Sequence, residues 1–215
     1  MILKERYRRT IEYFLLNQPD AETELTYNTP FELIVAVILS AQCTDKRVNM
    51  ITPVLLERYP DAESMAKADP SDIFEYIKSC SYPNNKARHL IGMARTLVEE
   101  FNSTVPSEPS LLQRLPGVGR KSANVIASVV FRKPVMPVDT HVFRISKRIG
   151  LVRNARTPLE AEIQLSRHIP VNLVHKAHHW LILHGRYICK SRTPACSKCG
   201  LTDFCKFYAD KIKYK

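Results

Sequence analysis

Apolar residues along this chain recur at three- and four-residue spacing, and they rarely alternate. Tyr7, Ile11, Phe14 and Leu15 mark one face of an N-terminal helix. Leu90, Ala94, Leu97 and Val98 do the same in a helix expected over 86–101. Thr29-Pro30 supplies a capping hydroxyl and a first-turn proline for a helix over 31–41. Asp69-Pro70 opens another that runs to Ile77, and Val48 to Tyr59 is stopped by Pro60. Segments 109–115, 121–131, 140–149, 158–168 and 172–183 complete the pattern. No stretch reads as a strand and no internal repeat is visible. The fourteen prolines fall mainly between these segments, where helix breakers belong. The expected fold is all-α, in two helical lobes. One covers 20–132; the other joins 1–19 to 133–215. The VMPVDT segment would bridge them and put Asp139 at the mouth of a cleft between the lobes, where ligands tend to bind.

Composition narrows the class. Hydrophobic residues make up 45% of the 215, enough for a true core. The longest apolar run, Phe31 to Ala41, is interrupted by Glu32 and too short to span a bilayer. The opening MILKERYRRTIEYF lacks the apolar region of a secretory signal. A cytosolic or nuclear address is therefore expected, and there thiols stay reduced. The net charge of +11 asks for a polyanion or an anionic membrane surface. Its distribution favours nucleic acid, because each phosphate neutralised releases counterions. Between Leu111 and Arg156 stand Arg114, Arg120, Lys121, Arg132, Lys133, Arg144, Lys147, Arg148, Arg153 and Arg156, against Asp139 alone.

The stretch LPGVGRKSANVIASVVF, Leu115 to Phe131, is the most informative inside that span. Gly117 and Gly119 permit a tight turn with positive φ and close backbone approach. A helix starting near Arg120 would turn its free N–H groups and dipole toward that turn, forming a phosphate site indifferent to base. Lys121 falls in its first turn. There a cation opposes the helix dipole and lies beside Arg120, and burial would add to the cost of its charge. A lysine kept partly neutral is a nucleophile suited to Schiff-base chemistry; the plainer role is one more phosphate contact. Asp139, in PVDTHVFR, has the ordinary task of capping the helix that follows. A carboxylate in so basic a segment could also stabilise positive charge developing on a deoxyribose, or help activate the amine.

Near the C-terminus the spacing C-x6-C-x2-C-x5-C sets out Cys189, Cys196, Cys199 and Cys205. In a reducing compartment these point to metal. Zinc sites usually carry two tight pairs, and only Cys196 and Cys199 form one here. Four thiolates winding round one compact object fit a 4Fe–4S cluster better. Lys190, Arg192 and Lys198 lie between them, so a metal group would hold a basic loop against phosphate. Cys43 and Cys80 read as small buried apolar residues. His175, His178, His179 and His184 read as packing around Trp180.

Together LPGVGRKSAN, VDTHV, HHWLILHGRYIC and the cysteine spacing resemble endonuclease III over essentially the whole chain. That is a family of bifunctional DNA glycosylases and abasic-site lyases of the helix–hairpin–helix superfamily. The resemblance implies a six-helix barrel lobe and an iron–sulfur lobe. It implies Lys121 as the nucleophile at C1′, Asp139 as the essential carboxylate, and a 4Fe–4S cluster on Cys189, Cys196, Cys199 and Cys205. The substrate would be an oxidised pyrimidine or abasic site in double-stranded DNA, met by a monomer in a bacterial cytoplasm, at the nucleoid. DNA contacts would come from Gln42, Tyr82, Gly117, Gly119, Arg120, Lys190 and Arg192. LSAQCTD places Gln42 where the family fills the gap left by an extruded base. SYPNN departs from the family's leucine before Tyr-Asn, putting Tyr82 and then Pro83 at the second wedge. An adenine-mismatch glycosylase shares the hairpin and the cysteines but usually lacks the lysine and adds a C-terminal domain. A metal-stabilised DNA-binding module without catalysis is the alternative from another class.

Overall fold

A computed structural model describes residues 1–213 as helices and turns, with no strand among the described residues. The helices are α1 (Leu3–Asn17), α2 (Pro30–Ser40), α3 (Asp45–Arg58), α4 (Ala62–Ala66), α5 (Pro70–Ile77), α6 (Pro83–Phe101), α7 (Pro109–Leu112), α8 (Arg120–Phe131), α9 (Thr140–Ile149), α10 (Pro158–His168), α11 (Val174–Leu183) and α12 (Lys206–Lys213). The protein is all-α, as its periodicity requires.

Helix starts follow capping chemistry. Thr29 Oγ1 accepts from the Glu32 N–H at 3.2 Å, with Pro30 in the first turn of α2. Asp69 Oδ1 accepts from the Ser71 N–H at 2.8 Å, opening α5. Each cap satisfies a donor that no intrahelical carbonyl can reach. Two helices were not anticipated. α4 has five residues, fewer than a periodic pattern needs, and is opened by a capping box between Asp61 and Ser64. α12 follows the last cysteine. α6 starts at Pro83, three residues before the expected Lys86.

The chain folds into two compact units: Met1–Glu22 with the chain from Pro134 onward, and Thr23–Lys133. The Thr23–Lys133 unit, called the hairpin unit below, is built round α2. Leu33, Ile34, Val35, Ala36 and Leu39 have no exposed surface, as expected of a helix apolar on every side. α3, α6 and α8 pack on α2; α4 and α5 pack on α6, and α7 on α8. The other, called the cysteine unit, is organised by α9, against which α10, α11 and α12 pack. α1 joins this unit because Phe14 stacks on Trp180, with ring centroids 5.8 Å apart and planes 9° apart. The Trp180 indole N–H also donates to the Gln18 carbonyl at 2.7 Å.

Candidate functional site

The turn between α7 and α8 is tight, with the Val118 N–H donating to the Leu115 carbonyl at 3.0 Å. Its two glycines have different reasons to be there. Gly117 sits at φ +82°, and a Cβ on it would come within 2.9 Å of the His89 Cβ on α6. Both backbone conformation and space exclude a side chain. Gly119 has φ −82° and ψ 176°, ordinary extended backbone, and a Cβ on it would meet nothing within 4 Å. Of the two glycines that permit a turn with positive φ, only Gly117 takes one. Nothing inside the fold requires glycine at 119, which heads α8 with no side-chain cap. Arg120 and Lys121 are exposed in the next two positions. The burial anticipated around Lys121 is therefore not found.

Gln42 and Tyr82 also belong to the hairpin unit. Both are exposed, Tyr82 to 63%, and both hold left-handed backbone, with φ 54° and 55°. For residues with a β-carbon, and for an aromatic above all, that conformation is strained and persists only when the surroundings enforce it. Here the Ser81 hydroxyl donates to the Gln42 carbonyl at 2.7 Å, joining the two turns. Lys86, on the first turn of α6, donates from Nζ to the carbonyls of Leu39 and Ala41, each at 2.8 Å. A buried ammonium thus closes the C-terminal end of α2, whose last carbonyls have no helical partners. Burial pushes the Lys86 amine below its ordinary range. The sequence reading passed over Lys86, because only its position behind Tyr82 and opposite α2 makes it matter.

Asp139 fills the capping role read from the sequence. Its Oδ1 accepts from the Val142 N–H at 2.7 Å at the head of α9, and the side chain is half-buried. One oxygen is used by the cap, leaving the second outside it. α9 also carries Arg144 and Arg148, one turn apart. Arg144 donates to the Gly185 carbonyl at 2.8 Å. Arg148 donates to the Lys190 carbonyl at 2.8 Å, to the Ser191 carbonyl at 2.7 Å and to Cys189 Sγ at 3.3 Å. Both arginines belong to the basic span that favours nucleic acid, and the structure turns them inward onto the cysteine loop. Arg114 and Lys133 likewise form ion pairs, with Glu100 and Glu108. The basic span is thus in part internal glue.

All four C-terminal cysteines line one cavity of about 350 Å³, counting the part open to solvent. It is walled by Ile149, Leu201 and Phe207 and reached by a π-helical turn, His184–Ile188, that leads into Cys189. His184 Nε2 lies 3.6 Å from Cys199 Sγ, and burial holds its imidazole at a pKa of about 4, so the ring is neutral. Among the described residues no three Cys, His, Asp or Glu side chains converge closely enough to hold a single metal ion. Lys190, Arg192 and Lys198 are exposed on the same loop.

Residues 35–170 match the model of the HhH-GPD superfamily of base excision DNA repair proteins. The chain is 44% identical to endonuclease III of Rickettsia felis over 95% of both chains. The chain belongs to that superfamily. Within the HhH-GPD proteins it falls with endonuclease III: the Escherichia coli K12 protein is 39% identical over 91% of this chain and 92% of its own. A solved structure of a trapped endonuclease III–DNA covalent intermediate, an estranged-adenine complex, superposes with a TM-score of 0.93 and 39% identity. It covers 99% of this chain and all of that one. This HhH-GPD protein is a base excision repair enzyme, a DNA glycosylase and abasic-site lyase whose partner is duplex DNA. Among its described residues no helix is long and apolar enough to cross a membrane.

Proposed function

We propose that this enzyme excises oxidised pyrimidines, such as thymine glycol and dihydrouracil, through a Schiff base on Lys121. The observation that carries the reading is the head of α8: a lysine exposed in the first turn of an uncapped helix, behind a glycine that the fold itself does not need. In this reading the Gly119 backbone and the first-turn N–H groups receive a phosphate, with Arg120 and the tight Gly117 turn beside them. The Lys121 amine, once neutral, attacks C1′ of the damaged nucleotide, and the base leaves with its bonding electrons and a proton. The Asp139 carboxylate stabilises the positive charge that develops on the sugar and helps take the amine's proton. The C1′–O4′ bond then breaks, O4′ taking up a proton as the sugar ring opens, and the nitrogen becomes a Schiff base that acidifies C2′. Loss of the C2′ proton and β-elimination break the C3′–O bond, the phosphate leaves, and the strand is nicked 3′ to the lesion. Gln42 and Tyr82 fill the gap left by the extruded nucleotide, which supports the cost of unstacking it. Tyr82 replaces the family's usual leucine and brings a larger, flatter wedge.

Cys189, Cys196, Cys199 and Cys205 would hold a 4Fe–4S cluster. Four cysteines lining one pocket, with a single tightly spaced pair among them, suit a polynuclear group better than a lone zinc ion. When bound, the cluster supplies thiolate cross-linking that keeps Lys190 and Arg192 in position to meet phosphate. On this assignment 20–132 is the six-helix barrel, and 1–19 with 133–215 is the iron–sulfur domain. The enzyme works as a monomer in the cytoplasm, at the DNA.

Borohydride trapping on duplex DNA with a single thymine glycol tests the central claim. Wild type should form a covalent adduct and Lys121→Gln should form none, while retaining duplex affinity. An adduct of equal yield with Lys121→Gln would remove Lys121 from the chemistry.

A further inference from the structure

Cys43 and Cys80 take part in neither the cysteine loop nor the chemistry above. The sequence reading made both small buried apolar residues, and the structure sets their sulfurs 3.8 Å apart. Cys80 is buried and Cys43 partly exposed. Cys43 directly follows Gln42 at the end of α2, and Cys80 stands two residues before Tyr82 at the head of α6. These are the two turns that the Ser81 hydroxyl and the Lys86 ammonium already tie together. The positive charge of Lys86 acts on both thiols.

We propose that Cys43 and Cys80 form a peroxide-reactive pair that closes to a disulfide and bolts together the turns carrying Gln42 and Tyr82. Burial pushes the Cys80 thiol up to about 11, and Cys43 is the sulfur a small oxidant reaches, so Cys43 acts first. Its thiolate attacks hydrogen peroxide; an S–O bond forms, the O–O bond breaks and hydroxide leaves as water, giving a sulfenic acid. Cys80 loses its proton to solvent and attacks that sulfur; the S–S bond forms, the S–O bond breaks and a second water leaves. Two thiols lose two electrons, and one peroxide becomes two waters. The bond brings the sulfurs to about 2 Å and ties the two turns to each other covalently. Gln42 is bonded to Cys43 and loses freedom to adjust with it. The bond itself does not depend on the wedge reading of Gln42 and Tyr82; its effect on DNA binding does.

The test treats the reduced holoenzyme with hydrogen peroxide in slight excess, blocks free thiols by alkylation and maps the peptides. A Cys43–Cys80 linked peptide, reversed by dithiothreitol, with the visible absorption of the metal centre retained, is the expected result. Separate alkylation of both cysteines, or Cys43 oxidised to sulfinic acid with no link, overturns the pair. Linked protein should bind an abasic-site duplex about tenfold more weakly relative to undamaged duplex, with recovery on reduction. Cys80→Ala and Cys43→Ser should each show no such response to peroxide; should one of them fold poorly, the other still decides. Linkage with unchanged discrimination overturns the bolt. Gln42→Ala measured in parallel says why: if it too leaves discrimination intact, the wedge reading has failed, and if it does not, the bolt alone has.

Discussion

At the head of α8, Gly119, Arg120 and Lys121 stand at the surface with no side chain capping the helix, whereas on α9 Arg144 and Arg148 are turned back onto carbonyl oxygens of the cysteine loop. Both stretches look alike in sequence, as basic residues on short amphipathic helices. The head of α8 shows its charges to solvent. On α9 the two arginines hold an irregular loop, while Lys190, Arg192 and Lys198 of that loop stay exposed. A basic span is thus not a single surface, and an arginine count overstates the phosphate contacts available. The difference also says where damage should fall: on binding at the head of α8, on stability at Arg144 and Arg148.

The largest expected effect breaks the cysteine unit. Cys199→Ser should lose visible absorption and iron, and its loop should become sensitive to protease, since structural metal sites contribute on the order of 10 kcal/mol to folding. Helicity attributable to the hairpin unit should survive, which circular dichroism before and after proteolysis would show. Next comes acid. His179 is held at a pKa of about 4, chiefly by burial and then by the charges of His175 and Arg186, against 6.5 when unfolded. Between those values the unfolded chain binds more protons, so stability is full above about pH 6.5 and is lost as the pH falls through about 4. The loss amounts to at most about 3 kcal/mol. The stability loss from pH 7 to 4 should therefore shrink in His179→Gln, the buried His184 keeping a share of its own; an unchanged slope would exclude His179 as a sensor.

A smaller effect, about 2 kcal/mol, is expected for Arg148→Met in chemical denaturation, because it strips charged donors from four loop acceptors at once. The glycine pair sharpens the comparison most. Gly117→Ala should cost about 2 kcal/mol through its positive φ and the contact with His89. Gly119→Ala should leave stability within about 0.5 kcal/mol of wild type and yet weaken duplex binding. Equal stability loss in both variants would mean that Gly119 serves the turn and not a ligand.

Several elements were legible because they are local. Thr29-Pro30 and Asp69-Pro70 announce α2 and α5 through chemistry that acts over two or three residues. The LPGVG turn and the cysteine spacing are similarly compact. α4 escaped because five residues hold too little of a period to detect. Lys86 escaped because its meaning lies in carbonyls 45 and 47 residues away. Gly117 and Gly119 could not be told apart, since the positive φ and the nearby His89 that mark Gly117 come only with the folded turn.

What the chain determines by itself is periodicity, caps, breakers and the order of its chemical groups, all of which depend on neighbours within a turn or two. From these follow the all-α class, the hairpin, the lysine in its first turn and the four-cysteine loop. Which way a side chain faces was decided only by the tertiary structure. Arg148 meets Ser191 across 43 residues, and Cys43 meets Cys80 across 37. Such contacts exist because apolar faces far apart in sequence bury one another, and the polar residues between them take whatever partners that packing leaves within reach.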